Sequence, residues 1–189
     1  MNAKFVVATA IVVIVIYIVL GVSFAVFLPN APATHSTYQE PASAIRASLG
    51  KSASDGRIAL TLNGITNASD PATRDTWIAL NANASVYSHT LTPPPGDQYL
   101  IANVTVTNVH QAQIPFTHAA FALVTPDGTA YYANYAVCSS GCDAQAFKNS
   151  TLNETFSSDM YVLFSVPAGT SDVKLVYTAS DPPIVMSPT

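Results

Sequence analysis

Charge is scarce in this sequence. Its 189 residues hold 7 Lys and Arg and 11 Asp and Glu, only 10%, against about 25% in an ordinary soluble domain. The formal net charge is −4. Nucleic-acid binding relies on clustered Lys and Arg, so a nucleic-acid partner is not expected. Cysteine is scarce too. Two residues exclude a disulfide-dense scaffold and a four-cysteine zinc site. Only two glutamates occur, Glu40 and Glu154, and the nine aspartates fall mostly at turn signals. Paired-carboxylate glycoside chemistry is therefore poorly supported. The four histidines, His35, His89, His110 and His118, show no ligand-like spacing. There is no G-x-S-x-G elbow, no P-loop and no dinucleotide glycine pattern. No catalytic residue, metal or cofactor is assigned, and an enzyme is not expected.

What the sequence does have is one long apolar run. Phe5–Leu28 reads FVVATAIVVIVIYIVLGVSFAVFL, 24 residues without a charge. As a helix it would span about 36 Å, enough for a hydrocarbon core of about 30 Å. Lys4 precedes it, and the next charge is Glu40. The positive-inside rule then places residues 1–4 in the cytoplasm and the rest outside, with the bilayer as partner of a signal-anchor helix over 5–28. A cleaved signal peptide is the alternative, although its apolar core would be shorter. A pilin-type leader is a third.

Residues 29–56, with Pro29, Pro32 and Pro41 among Ala, Ser and Thr, read as a stalk holding at most a short helix over Ala42–Leu49. From Arg57 to Ser180 the dominant period is two. Ile58, Leu60 and Leu62 alternate with polar or small residues, as do Leu100, Ala102, Val104 and Val106. Phe121 with Leu123, Val162 with Phe164 and Val166, and Val173 with Leu175 and Tyr177 share faces in the same way. The same alternation over Trp77–Tyr87 predicts a strand. Asn63-Gly64, Asp70-Pro71, Pro93–Gly96, Asp127-Gly128, Pro167–Gly169 and Asp181-Pro182 supply turn chemistry. About seven strands without helical crossovers predict an all-β sandwich over 57–180, followed by a flexible tail over 181–189.

The runs YLIANVTVTNV (Tyr99–Val109), FALVTPDGT from Phe121, FSSDMYVLFSVP (Phe156–Pro167) and KLVY (Lys174–Tyr177) carry a resemblance. They are similar to the DUF4352-type extracellular immunoglobulin-like domain of membrane-anchored and lipoprotein chains. That family shows a strand ending in Asn, an F-x-L-x-x-x-D-G hairpin, an F-x-V-P strand and a closing K-L-x-Y strand. The likeness covers roughly Arg57 to Thr178. It implies an immunoglobulin-like β-sandwich at the cell surface and no catalytic residues.

Three local features remain. Cys138-Ser-Ser-Gly-Cys142 is expected to close a tight disulfide loop outside the cell. Its C-x3-C spacing resembles the dinuclear copper site of cytochrome oxidase subunit II. Ser140, Ala146 and Asn149 stand where that site takes its carbonyl, His and Met ligands, so copper is not expected. Five sequons, at Asn67, Asn83, Asn103, Asn149 and Asn153, exceed the roughly two that chance would give. Tyr131, Tyr132 and Tyr135 form an aromatic cluster, expected as a contact surface for a protein or glycan partner. The whole reads as a single-pass glycoprotein of the cell membrane with an extracellular binding, adhesion or accessory domain. Two alternatives differ in class. One is a filament or surface-layer subunit that donates its stalk or the tail Pro182–Thr189 as a strand. The other is a redox or copper carrier.

Overall fold

The computed structural model describes residues 35–81, 92–139 and 150–189. All of them fall in the unit Ala33–Thr189. The run Phe5–Leu28 lies outside them, as do Asn83, Cys142 and Asn149. Among the described residues, no helix is long and apolar enough to cross a membrane.

Two sheets face each other. One has the order β1 (His35–Thr37), β8 (Thr129–Tyr132), β7 (Phe121–Val124), β12 (Lys174–Tyr177), β13 (Ile184–Ser187) and β2 (Ile45–Ser48). The other has the order β3 (Ser52–Ser54), β4 (Ile58–Asn67), β5 (Asp97–Asn108), β11 (Ser157–Pro167) and β9 (Tyr135–Cys138). Every pair is antiparallel except β2 with β13. A two-stranded ribbon of β6 (Ile114–Phe116) and β10 (Ser150–Leu152) folds against one end.

The alternating residues meet where their period places them. Leu60, Leu62, Ala102, Val104, Val106, Val162, Phe164, Val166 and Leu175 are fully buried in the core between the sheets. Inward faces of paired strands share one apolar layer, which is the driving force of a sandwich. The hairpin at Asp127-Gly128 forms as expected between β7 and β8. Gly128 adopts φ +85 there, a conformation that favours glycine.

Four expectations are corrected. In its described part, residues 35–56, the expected stalk is sandwich. β2 and β3 pair with β13 and β4, and Ala44 and Ala53 are buried. Within Ala42–Leu49, Ile45–Ser48 is accordingly a strand and no helix forms. The flexible tail over 181–189 is also sandwich. Ile184, Val185 and Met186 are buried, and β13 is hydrogen-bonded to strands on both sides. A tail spent in this way is not available to a neighbour's sheet.

The strand expected over Trp77–Tyr87 is, in its described part, helix α1 (Pro71–Asn81). Asp70 caps it: Oδ2 accepts the Thr73 N–H at 2.8 Å, and Pro71 takes the first helical position. Finally, Asn63-Gly64 is not a turn but a bulge within β4, where the register shifts between Leu62 and Gly64. The displaced Asn63 amide donates to Asn103 Oδ1 (3.3 Å) and Thr105 Oγ1 (2.9 Å).

Candidate functional site

The residues singled out in the sequence do not assemble into one site. Tyr131 faces inward and packs on the main core, with the His35 ring 6.1 Å away. Tyr132 lies on the outer face of the six-stranded sheet, where its hydroxyl accepts from Ser36 Oγ at 3.3 Å. Tyr135 lies on the outer face of the other sheet, edge-on to Trp77 at 6.0 Å and near His118 at 6.4 Å. Between Tyr132 and Tyr135 the chain crosses from one sheet to the other, which splits the expected cluster.

Cys138 ends β9, opposite Met160 and half-buried against the main core. No free thiol stands among the described residues. Of the three described sequons, Asn153 is exposed, while Asn67 and Asn103 are half-buried. The Asn67 amide is used at both ends: Nδ2 donates to Gln98 Oε1 at 2.9 Å, and Oδ1 accepts the Ser69 N–H at 2.9 Å.

The arrangement with the most chemistry is a cleft of about 400 Å³ at the ribbon end of the sandwich. Its base is Ile58, Ile114, Phe116 and Tyr177. The Tyr177 ring is 4% exposed, stacked on Phe116 at 5.9 Å and tilted on Phe121 at 5.0 Å. Burial pushes its phenol up to about 12, and the Asp55 carboxylate adds to the rise while Arg57 opposes it. The phenol is therefore protonated at neutral pH. Its hydroxyl has no hydrogen-bond partner among the described residues.

Each wall has a local cause. Asp55, Gly56 and Arg57 form the turn between β3 and β4. Asp55 Oδ1 accepts the N–H groups of Arg57 and Ile58, each at 2.8 Å, and Gly56 takes φ +87. This puts a carboxylate and a guanidinium on the rim. Neither forms an ion pair among the described residues, either with the other or with a third group. The opposite wall is the ribbon, with Pro115 and Thr151 paired across it. Asn108 holds that wall in place. It is 5% exposed, and its Nδ2 lies 2.9, 3.1 and 2.8 Å from the carbonyls of Ala112, Leu152 and Asn153. Its Oδ1 accepts the His110 N–H at 2.9 Å. This is the Asn that ends the long strand in the motif noted above. The cleft itself has no sequence signature, because its walls come from residues 55–58, 114–117, 151 and 177–179.

A second cleft of about 510 Å³ lies beside Tyr38, Glu40, Asp127 and Lys174. Several of its charges are already engaged. Glu40 bridges Arg46 at 2.7 Å and Lys174 at 3.2 Å. Asp127 accepts from Thr125 and Thr129, which hold its carboxyl below the usual range.

Residues 47–187 match the family described as Domain of unknown function (DUF4352). The chain belongs to this family. The DUF4352 match opens inside β2 and closes on the last residue of β13, so it takes in β3, expected as stalk, and β13, expected as tail. The chain is also similar to solved structures. One is an uncharacterized β-sandwich protein from Clostridium difficile 630, at 14% identity and TM-score 0.49, covering 80% of this chain and 99% of that one. Another is the yjhA protein from Bacillus subtilis, at 13% identity and TM-score 0.42, covering 75% and 98%. No curated protein matches.

Proposed function

We propose that this DUF4352 chain is a single-pass surface protein whose immunoglobulin-like sandwich works outside the cell as a ligand-binding module without catalytic chemistry. The observation that carries the binding reading is the end cleft. It offers an apolar base, one unpartnered phenol hydroxyl and two unpaired charges on its rim. The outside location rests on the uncharged run Phe5–Leu28 behind Lys4. A Cys138–Cys142 disulfide fits that compartment.

Glycosylation belongs to the same proposal, and the geometry ranks the sequons. A glycan attaches at Nδ2. Asn153 is exposed, and its side chain is bonded through Oδ1, which accepts from Gln113 Nε2 at 3.1 Å. Asn67 has its Nδ2 engaged. Asn153 is thus the preferred acceptor of the three described.

The test uses intact cells making the full chain with a tag at each end. External protease should remove the C-terminal tag and spare the N-terminal one. Deglycosylation should lower the apparent mass, and Asn153→Gln should take away more of that shift than Asn67→Gln or Asn103→Gln. A C-terminal tag that stays protected on intact cells overturns the surface reading.

A further inference from the structure

We infer that the end cleft takes a small zwitterion with an apolar body, of the class and size of a free aromatic or branched-chain amino acid. This rests on the reading of the cleft as a binding site.

Size sets the first limit. A cleft of about 400 Å³ lies near the lower end of the range for small-molecule sites, roughly 300–1,000 Å³. It suits one compact body and not an extended chain. The base sets the second. Ile58, Ile114 and Phe116 offer no polar atom from their side chains, so an apolar group must rest there. The ring of Tyr177 continues that surface, and its hydroxyl is the one polar side-chain group among them. That hydroxyl is protonated and unpartnered, and it can donate to a ligand oxygen.

The rim sets the third limit and decides the class. Asp55 and Arg57 are separated by one glycine, yet they do not bridge each other. The turn spends Asp55 Oδ1 on two backbone N–H groups and leaves Oδ2 open. The guanidinium of Arg57 is exposed, with its donors unspent. A purely anionic ligand would meet the Asp55 carboxylate, and a purely cationic one would meet Arg57. A ligand with an ammonium and a carboxylate on one carbon uses both charges at once. Asp55, Arg57 and Tyr177 all line this one cleft. A neutral sugar could hydrogen-bond to both groups, but it would balance neither charge.

The test is a calorimetric titration of the full chain in detergent with three probes of one shape. L-Phenylalanine carries both charges, 3-phenylpropionate lacks the ammonium, and phenethylamine lacks the carboxylate. L-Phenylalanine should bind at least about tenfold more tightly than either of the others, the scale of one charge-assisted contact. Asp55→Asn keeps the acceptor that the turn needs. It should weaken L-phenylalanine about tenfold and leave 3-phenylpropionate unchanged or tighter. Arg57→Gln should weaken both. If 3-phenylpropionate binds as tightly as L-phenylalanine to the unaltered chain, the zwitterion is overturned and the cleft remains a binding site. If none of the three binds, the zwitterion falls. The cleft then falls with it unless a screen of other small molecules finds a ligand that Tyr177→Phe weakens.

Discussion

The sandwich has two outer faces, and each is covered in a different way. On the six-stranded sheet, the segment 38–44 lies over Ala122, Val124, Ala130, Val176 and Val185, touching them through Tyr38 and Ala44. The residues beneath are small. The cover is tied down by polar links: the Tyr38 N–H donates to the Gly128 carbonyl at 2.7 Å, and Glu40 bridges Arg46 and Lys174. On the five-stranded sheet the cover is α1. Its Trp77 packs on Ile101, Val137 and Leu163, with Tyr99, Tyr135 and Tyr161 around it. An extended strap has little side-chain volume to give, so it lies over Ala and Val. A helix brings one large ring, and large residues meet it. The two covers solve one problem, the apolar outer face, by pinning in one case and by packing in the other.

The sharpest way to break this contrast is Trp77→Ala. Trp77 is 5% exposed and is the largest side chain of its cover. Removing it should cost about 3–5 kcal/mol, the usual range for a buried aromatic cut to Ala. Chemical denaturation measures the loss, and amide exchange should rise over Pro71–Asn81 and not over 38–44. Tyr38→Ala, at the half-buried counterpart, should cost less than half as much. Equal losses would mean that both covers hold by packing.

The same contrast explains what could be read in advance. β4 and β5 were legible because a large part of their outer surface is polar: Thr61, Asn63, Asn103, Thr105 and Thr107 break the apolar residues into a clean period of two. β7 and β13 carry apolar residues on both sides, since the strap lies over their outer face. Ile184-Val185-Met186 therefore shows no alternation and was taken for tail. α1 was lost for a local reason. Asp70-Pro71 serves equally as a turn and as a helix start, and what marks it as the second is the Asp70–Thr73 cap with the Arg74 N–H donating to the Asp70 carbonyl at 3.0 Å. The cleft was illegible in principle. Asp55 and Arg57 read as an ordinary Asp-Gly turn, and Tyr177 as a strand residue. What gathers them into one cleft is the ribbon that Asn108 brings across from residues 112 and 152–153.

The strap also contains a flaw that a conservative change should repair. The Tyr38 hydroxyl is buried and has no hydrogen-bond partner. Burial raises its pKa, and Glu40 adds to the rise, so it stays a neutral phenol. An unpartnered hydroxyl pays its desolvation without return. Tyr38→Phe keeps the ring over Val124 and Val185 and removes that cost. Stability should rise by about 1 kcal/mol. A fall of that size would show that the hydroxyl is engaged in solution.

The smallest effect expected is at the pin itself. Burial alone raises the Glu40 carboxyl, but the hydrogen bonds from Lys174 and Arg46, together with their charges, outweigh it and hold the group below the usual range. A carboxyl with a folded-state pKa below its unfolded value of 4.5 adds stability above that pH. The contribution is lost as the pH falls through the lower, folded value. At pH 7, Glu40→Gln should cost only about 0.5 kcal/mol, because both partners are half exposed (Arg46 at 55%, Lys174 at 49%) and solvent screens them. The difference between the two chains should vanish once the pH falls below the folded value, and high salt should shrink it. The loss at Trp77→Ala should show little of either dependence, since that ring packs on apolar side chains. The Asp70 carboxyl that caps α1 is held below its usual range by its Thr73 bonds, so acid should loosen the first turn of the helix by itself, and Asp70→Asn should remove that sensitivity. A helix cover that still loosened in acid along with the strap in the Asp70→Asn chain would mean that the two faces are coupled through the sheets and are not held independently.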